Sequence, residues 1–125
     1  MNIETALKET MAIDGALGAA LVDYDSGMAL GALGESGSAE DVDMELAAAR
    51  SAEVVRAKLR TLEALRINDS IEDILITLET QYHLIRLLSN AGGSRLFLYL
   101  VLDRERANLA LARHHLRRID GELRV

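Results

Sequence analysis

The chain contains no cysteine, which removes disulfides, thiolate zinc sites and cysteine nucleophiles together. Its aromatic side chains are limited to Phe97, Tyr24, Tyr82 and Tyr99. The stacking platforms that hold single-stranded nucleic acid need more than this. Positive charge is also in short supply, with 14 lysines and arginines against 20 aspartates and glutamates and a formal net charge of -6. Such a chain repels a phosphate backbone, so nucleic acid is not an expected partner. No run reaches the roughly 18 apolar residues of a membrane span, so no integral membrane contact is expected. The opening MNIETALKET carries two acids and no apolar stretch, unlike a secretory leader. These absences point to a soluble, cytoplasmic protein.

What is present is enough to fold. Half of the 125 residues are hydrophobic, which excludes wholesale disorder and supports a single domain over residues 1–125 with a core of its own. Asn2 can cap a first helix carrying Ile3, Leu7 and Met11 on one stripe, and Asp14-Gly15 ends it. Residues 17–22 and 28–33 read as two strands joined by the turn DYDSG, where Asp25 and Ser26 can bond their own backbone and Gly27 can take positive φ. The small Gly18, Ala19 and Ala20 leave room for a closely packed neighbour. Residues 34–40, GESGSAE, form an expected loop.

From about Asp41 to Arg66 the composition is that of a helix, which at about 1.5 Å per residue would run nearly 40 Å. Ala47, Ser51, Val55, Leu59, Leu62 and Leu65 form one apolar stripe, while Met44, Ala48, Ala52, Val54 and Ala57 lie off it. A helix apolar on more than one face needs more than one partner. One can be the domain's own sheet, and the second another copy of the same helix. Three strand-like runs follow. In EDILITLET, Ile74, Ile76 and Leu78 alternate with Leu75, Thr77 and Glu79. In YHLIRLLS, Ile85 and Leu87 oppose Leu84 and Leu88. After the glycine turn NAGGS, LFLYLVL at residues 96–102 is apolar on both faces and belongs in the middle of a covered sheet. Asp103 can cap a last helix with the stripe Leu109, Ala112, Leu116, Ile119 and Leu123, and residues 122–125 are expected to fray.

The resulting order is α-β-β-α-β-β-β-α. A central fifth strand puts the third at one edge, giving a five-stranded antiparallel sheet ordered 2-1-5-4-3. The long helix covers one face and the two terminal helices the other.

No catalytic constellation accompanies this architecture. His114 and His115 are adjacent on a helix and point about 100° apart, whereas a metal-ligand pair needs spacing three or four. His83 and Ser89 lack the strained nucleophile turn of a hydrolase triad, and Ser36 in GESGS lies in a loop. GALGESG lacks the lysine of a phosphate loop and carries Glu35 instead. No cofactor and no metal are expected. Arg113, Arg117, Arg118 and Arg124 form a basic strip on an acidic chain, either a solvated face or a docking strip for an acidic partner.

The opening ALKETMAIDGALGAALVDYDSGMAL, the long Ala-rich second helix and the close RLFLYLVLDRERANLALARHHLRRI together resemble the roadblock/LC7 family over essentially the whole chain. The resemblance implies an α/β scaffold without catalytic activity that homodimerises, with long helices packed together and third strands paired into one ten-stranded sheet. It further implies a Ras-like small GTPase as the partner of a bacterial member, or an adaptor role like that of dynein light chains. Two other readings remain beside it. One is a structural adaptor of a signalling or motor complex without nucleotide-dependent binding. The other is a small-molecule sensing domain, which would need a sizeable pocket.

The exposed ILITL edge and the multi-faced helix ask for a second copy on their own account. The expected dimer residues are Ala48, Ala52, Val55 and Leu59 on the long helix and Ile74, Ile76 and Leu78 on the edge strand. A two-fold centred on Ile76 would set Asp73 opposite Glu79, so centring on Leu75 or Thr77 is expected instead. Truncating Leu59 to alanine should cost on the order of 2–5 kcal/mol if the side chain is buried, measured by urea unfolding.

Overall fold

In the computed structural model, which describes residues 1–34, 43–89 and 95–125, the apolar run near the C-terminus lies where its two apolar faces require. The elements are α1 (Ile3–Met11), β1 (Ala16–Asp23), β2 (Ala29–Gly34), α2 (Met44–Ala64), β3 (Asp73–Thr77), β4 (Gln81–Leu87), β5 (Leu96–Asp103) and α3 (Leu109–Glu122). The strands make one antiparallel sheet ordered β2-β1-β5-β4-β3. β5 is central, and every residue from Leu96 to Leu102 is buried.

Alternation along the strands divides the core in two. Leu98, Leu100 and Leu102 pack with Leu7, Leu84, Leu116 and Ile119 under α1 and α3. Phe97, Tyr99 and Val101 pack with Ile85, Ala48, Ala52 and Val55 under α2. The sheet is thus covered on both faces, as the sequence pattern requires. The small residues of β1 admit this close cover: a Cβ on Gly18 would lie 2.5 Å from Met44 Sδ of α2.

The caps refine several boundaries. Asn2 caps α1 as expected, its side chain accepting from the Thr5 N–H at 2.9 Å. α2 starts at Met44 behind Asp43, whose carboxylate accepts from the Leu46 N–H at 3.1 Å. The expected start at Asp41 lies outside the described residues. Arg66 takes φ 57° just past the C-cap Leu65, so the 21-residue helix spans about 32 Å. The cap of α3 is Asn108, which accepts from the Leu111 N–H at 3.0 Å. Asp103 is not that cap. It closes the preceding turn instead, accepting from the Glu105 N–H at 3.0 Å and Arg106 Nε at 3.2 Å.

In the β1–β2 turn, Gly27 has φ 75° as expected. The carboxylate that accepts the turn N–H groups of Asp25 and Ser26 belongs to Asp23, while Asp25 pairs with Arg95. The C-terminus does not fray as expected. Leu123 is buried, the Arg124 N–H donates to the Met1 carbonyl at 2.9 Å, and the N-terminal ammonium donates to the Glu122 carbonyl at 2.6 Å. Apart from Gly34, which ends β2, the loop expected over 34–40 lies outside the described residues, as does NAGGS.

Because Asn108 satisfies a donor that would otherwise be orphaned at the start of α3, Asn108→Ala should lower stability by about 1 kcal/mol. Urea unfolding reads this as an earlier midpoint, and an unchanged midpoint would contradict the capping assignment.

Candidate functional site

Among the described residues β3 pairs with β4 and with no other strand, which leaves one side of its backbone open. Ile74 and Ile76 share the α2 face of the sheet. Ile74 is half-buried against that core, whereas Ile76 is 37% exposed. Leu78 falls just beyond the strand and is 41% exposed. β3 is therefore shorter than EDILITLET suggested, with Leu78 and Glu79 in the connection to β4.

The flank of α2 beside this edge continues the open apolar surface. Met44, Ala48, Ala52 and Val55 point at the sheet. At 100° per residue, Val54, Lys58 and Leu62 fall on the neighbouring flank. With Ile67, Ile71 and Ile74 they line a groove of about 450 Å³. Val54 is 41% and Ile67 46% exposed.

This placement corrects the helical half of the expected dimer surface. Ala48, Ala52 and Val55 are fully buried in the protomer's own core, so no second copy can reach them. The small residues read as permitting close approach of two helices instead bring α2 down onto its own sheet. Leu59 is half-buried against that core, so Leu59→Ala falls toward the low end of the cost given for a buried leucine.

A polar row lies behind the edge. His83 stands opposite Ile76 in the β3–β4 register. Its Nδ1 is 2.9 Å from the Tyr99 hydroxyl and its Nε2 2.9 Å from Gln81 Oε1. An amide oxygen only accepts, so neutral His83 carries its proton on Nε2 and accepts from Tyr99 at Nδ1. Burial lowers the His83 pKa below its ordinary value. Burial also raises that of Tyr99, opposed by a hydrogen bond with Ser51. His83 and Ser89 are not brought together, because Ser89 bonds Asp120 of α3 through both its N–H and its hydroxyl at 3.0 Å.

The basic strip is largely tied down. Arg113 holds Asp73 of β3 in a two-pronged contact, Nε at 3.0 Å and an Nη at 3.2 Å. Arg118 lies between Glu9 at 3.6 Å and Glu122 at 3.4 Å. Arg124 donates to the Gly121 and Leu123 carbonyls. Arg117 is exposed and makes no ion pair among the described residues. The sequence reading missed Asp120, which is 2% exposed and lies 3.2 Å from Arg86. The available signal was Arg86 itself, a cation inside the apolar run LIRLL that needed a buried counter-charge. The rings of His114 and His115 are 5.9 Å apart, and no group of three or more potential metal ligands occurs among the described residues.

No family model and no curated protein matches the chain, but solved structures do. The roadblock/LC7 domain from Streptomyces avermitilis superposes with a TM-score of 0.77 at 11% identity, over 98% of this chain and 94% of that one. Myxococcus xanthus MglB gives 0.77 at 16% identity, over 96% and 92%. The gliding protein MglB from Thermus thermophilus gives 0.69 at 21% identity, over 95% and 88%. An antiparallel sheet between one long helix and two terminal helices therefore defines the class, and the fold is that of the roadblock/LC7 domain, as the sequence resemblance implied.

A lowered pKa means that the unfolded chain binds a proton more readily than the folded one at His83. The stabilisation is complete above the ordinary histidine value of 6.5 and is lost as pH falls through the folded value. Stability should therefore decline as pH drops below 6.5, and His83→Gln should flatten that decline. A wild-type profile that His83→Gln reproduces unchanged would contradict the assignment.

Proposed function

We propose that the chain is a homodimeric, non-enzymatic regulator or scaffold that binds a Ras-like small GTPase in the cytoplasm. The observation that carries the dimer is the continuity of two open apolar surfaces, the unpaired edge of β3 with Ile76 and the adjoining α2 flank with Val54 and Leu62. An unpaired apolar edge is an aggregation site unless something covers it. A two-fold through Leu75 or Thr77 joins the edges into a continuous sheet and sets the two α2 flanks side by side. In this revised interface Val54, Leu62, Ile74, Ile76 and Leu78 face the second copy. Ala48, Ala52 and Val55 support the surface from inside.

The GTPase reading rests on the family resemblance and on the likeness in fold to MglB structures. The cytoplasmic assignment rests on the composition and on the same resemblance. Among the described residues no helix is long and apolar enough to cross a membrane. Arg117 is the member of the basic strip left to meet an acidic partner surface.

Two experiments test this. In sedimentation equilibrium, wild-type protein should run as a dimer of the 13.7 kDa chain. Val54→Glu and Ile76→Lys should give folded monomers, whereas Ala52→Glu should unfold the protein by burying an unpaired charge. Folded dimer in both surface variants would contradict the interface. For the partner, bound proteins are recovered from native cytoplasm and any small GTPase is reloaded with GTP and GDP analogues. Tighter binding of the GTP form supports a regulator, and equal binding moves the reading to a structural adaptor.

A further inference from the structure

The opposite edge of the sheet is also open. Among the described residues β2 pairs with β1 alone, so its outer backbone groups have no strand partner there. Residues 28–34, MALGALG, hold no charge, and Met28, Leu30 and Leu33 are 68%, 48% and 38% exposed. Edge strands are ordinarily guarded by charges, proline or bulges. A register shift opposite Leu21 and Val22 leaves Leu30 unopposed, but from Gly31 to Gly34 the pairing is regular. That stretch presents a regular backbone to an added strand.

A cleft of about 290 Å³ adjoins the start of this edge, lined by Gly27, Met28, Ala29 and Glu45. Glu45 stands in the first turn of α2, is exposed, and makes no ion pair among the described residues. The cleft therefore joins an apolar wall to one carboxylate with no cationic side chain beside it among the described residues. This suits a lysine or arginine, whose methylene stem packs on Met28 while its charge meets Glu45.

We propose that the β2 edge docks an extended, mostly apolar segment of another protein, added as a sixth strand, with a lysine or arginine seated in the Glu45 cleft. Strand addition supplies main-chain hydrogen bonds for affinity, and the side-chain cleft supplies selection. The occupant is not a second copy, because neither edge strand of this chain, Ala29–Gly34 or Asp73–Thr77, contains a lysine or arginine to offer the cleft. The net charge of -6 favours approach of a basic partner over an acidic one. This docking does not depend on the dimer, which uses the other edge.

The test is an amide-resolved NMR titration of the full chain with a capped peptide of alternating valine and threonine ending in lysine, and with its glutamate-ended counterpart. The lysine peptide should move the amide signals of residues 28–34 and bind several-fold more tightly than the glutamate peptide. Glu45→Gln should erase that preference, and Leu30→Lys should weaken both peptides without altering the circular dichroism spectrum. Equal binding of the two peptides to wild type, shifts confined to residues 73–78, or no binding at all would each overturn the proposal.

Discussion

The structure depends on one constraint, that β5 is apolar on both faces and must be covered on both. Burying Leu98, Leu100 and Leu102 on one side and Phe97, Tyr99 and Val101 on the other contributes on the order of 1.5–3 kcal/mol per large side chain. That energy is available only if helices lie over both faces. α2 answers on one side, and the pair α1 and α3 on the other. With β5 central, short connections place β4 and then β3 on one flank. The β1–β2 hairpin takes the other, so two open edges are a consequence of the same demand.

The two edges differ in how they are held. β3 is fixed from below by α3, through Arg113 on Asp73 and through Asp120 on Arg86 of the neighbouring β4. Arg86–Asp120 is buried and Arg113–Asp73 is partly exposed. A buried ion pair is weak evidence of net stabilisation, but leaving Asp120 or Arg86 without its partner is costly. These pairs therefore specify where α3 sits and hold the edge strand in a defined position. That positioning suits the second copy proposed for this edge. β2 carries no charged residue and is held by packing instead, with Gly31 so close beneath α1 that a Cβ there would lie 2.8 Å from Leu7.

The fold was legible because its signals are local. The double-faced apolar run, the stripe through Ala112, Leu116 and Ile119, and the alternation in LITL and HLIRLL each named an element and its buried side. The sheet order followed from β5 being central. The site was less legible. Helical periodicity alone does not say which of two apolar stripes meets the protomer's own sheet, and the small side chains of Ala48 and Ala52 suit either role. Gly18 beneath Met44 decides it, and that contact joins residues distant in sequence. The same holds for Asp120 and Arg86, whose pairing is visible only once α3 lies over β4. The cap of α3 was misassigned because Asp103 and Asn108 both suit a helix start, and the turn between them takes the first.

The central claim is that a second copy covers the β3 edge and the α2 flank. Hydrogen exchange followed residue by residue across a dilution series tests it most directly. The account predicts that the outward amides of residues 73–77 become protected as protein concentration rises, while those of residues 29–34 on the opposite edge exchange at a constant rate. Exchange at residues 73–77 that stays fast at every concentration would contradict it.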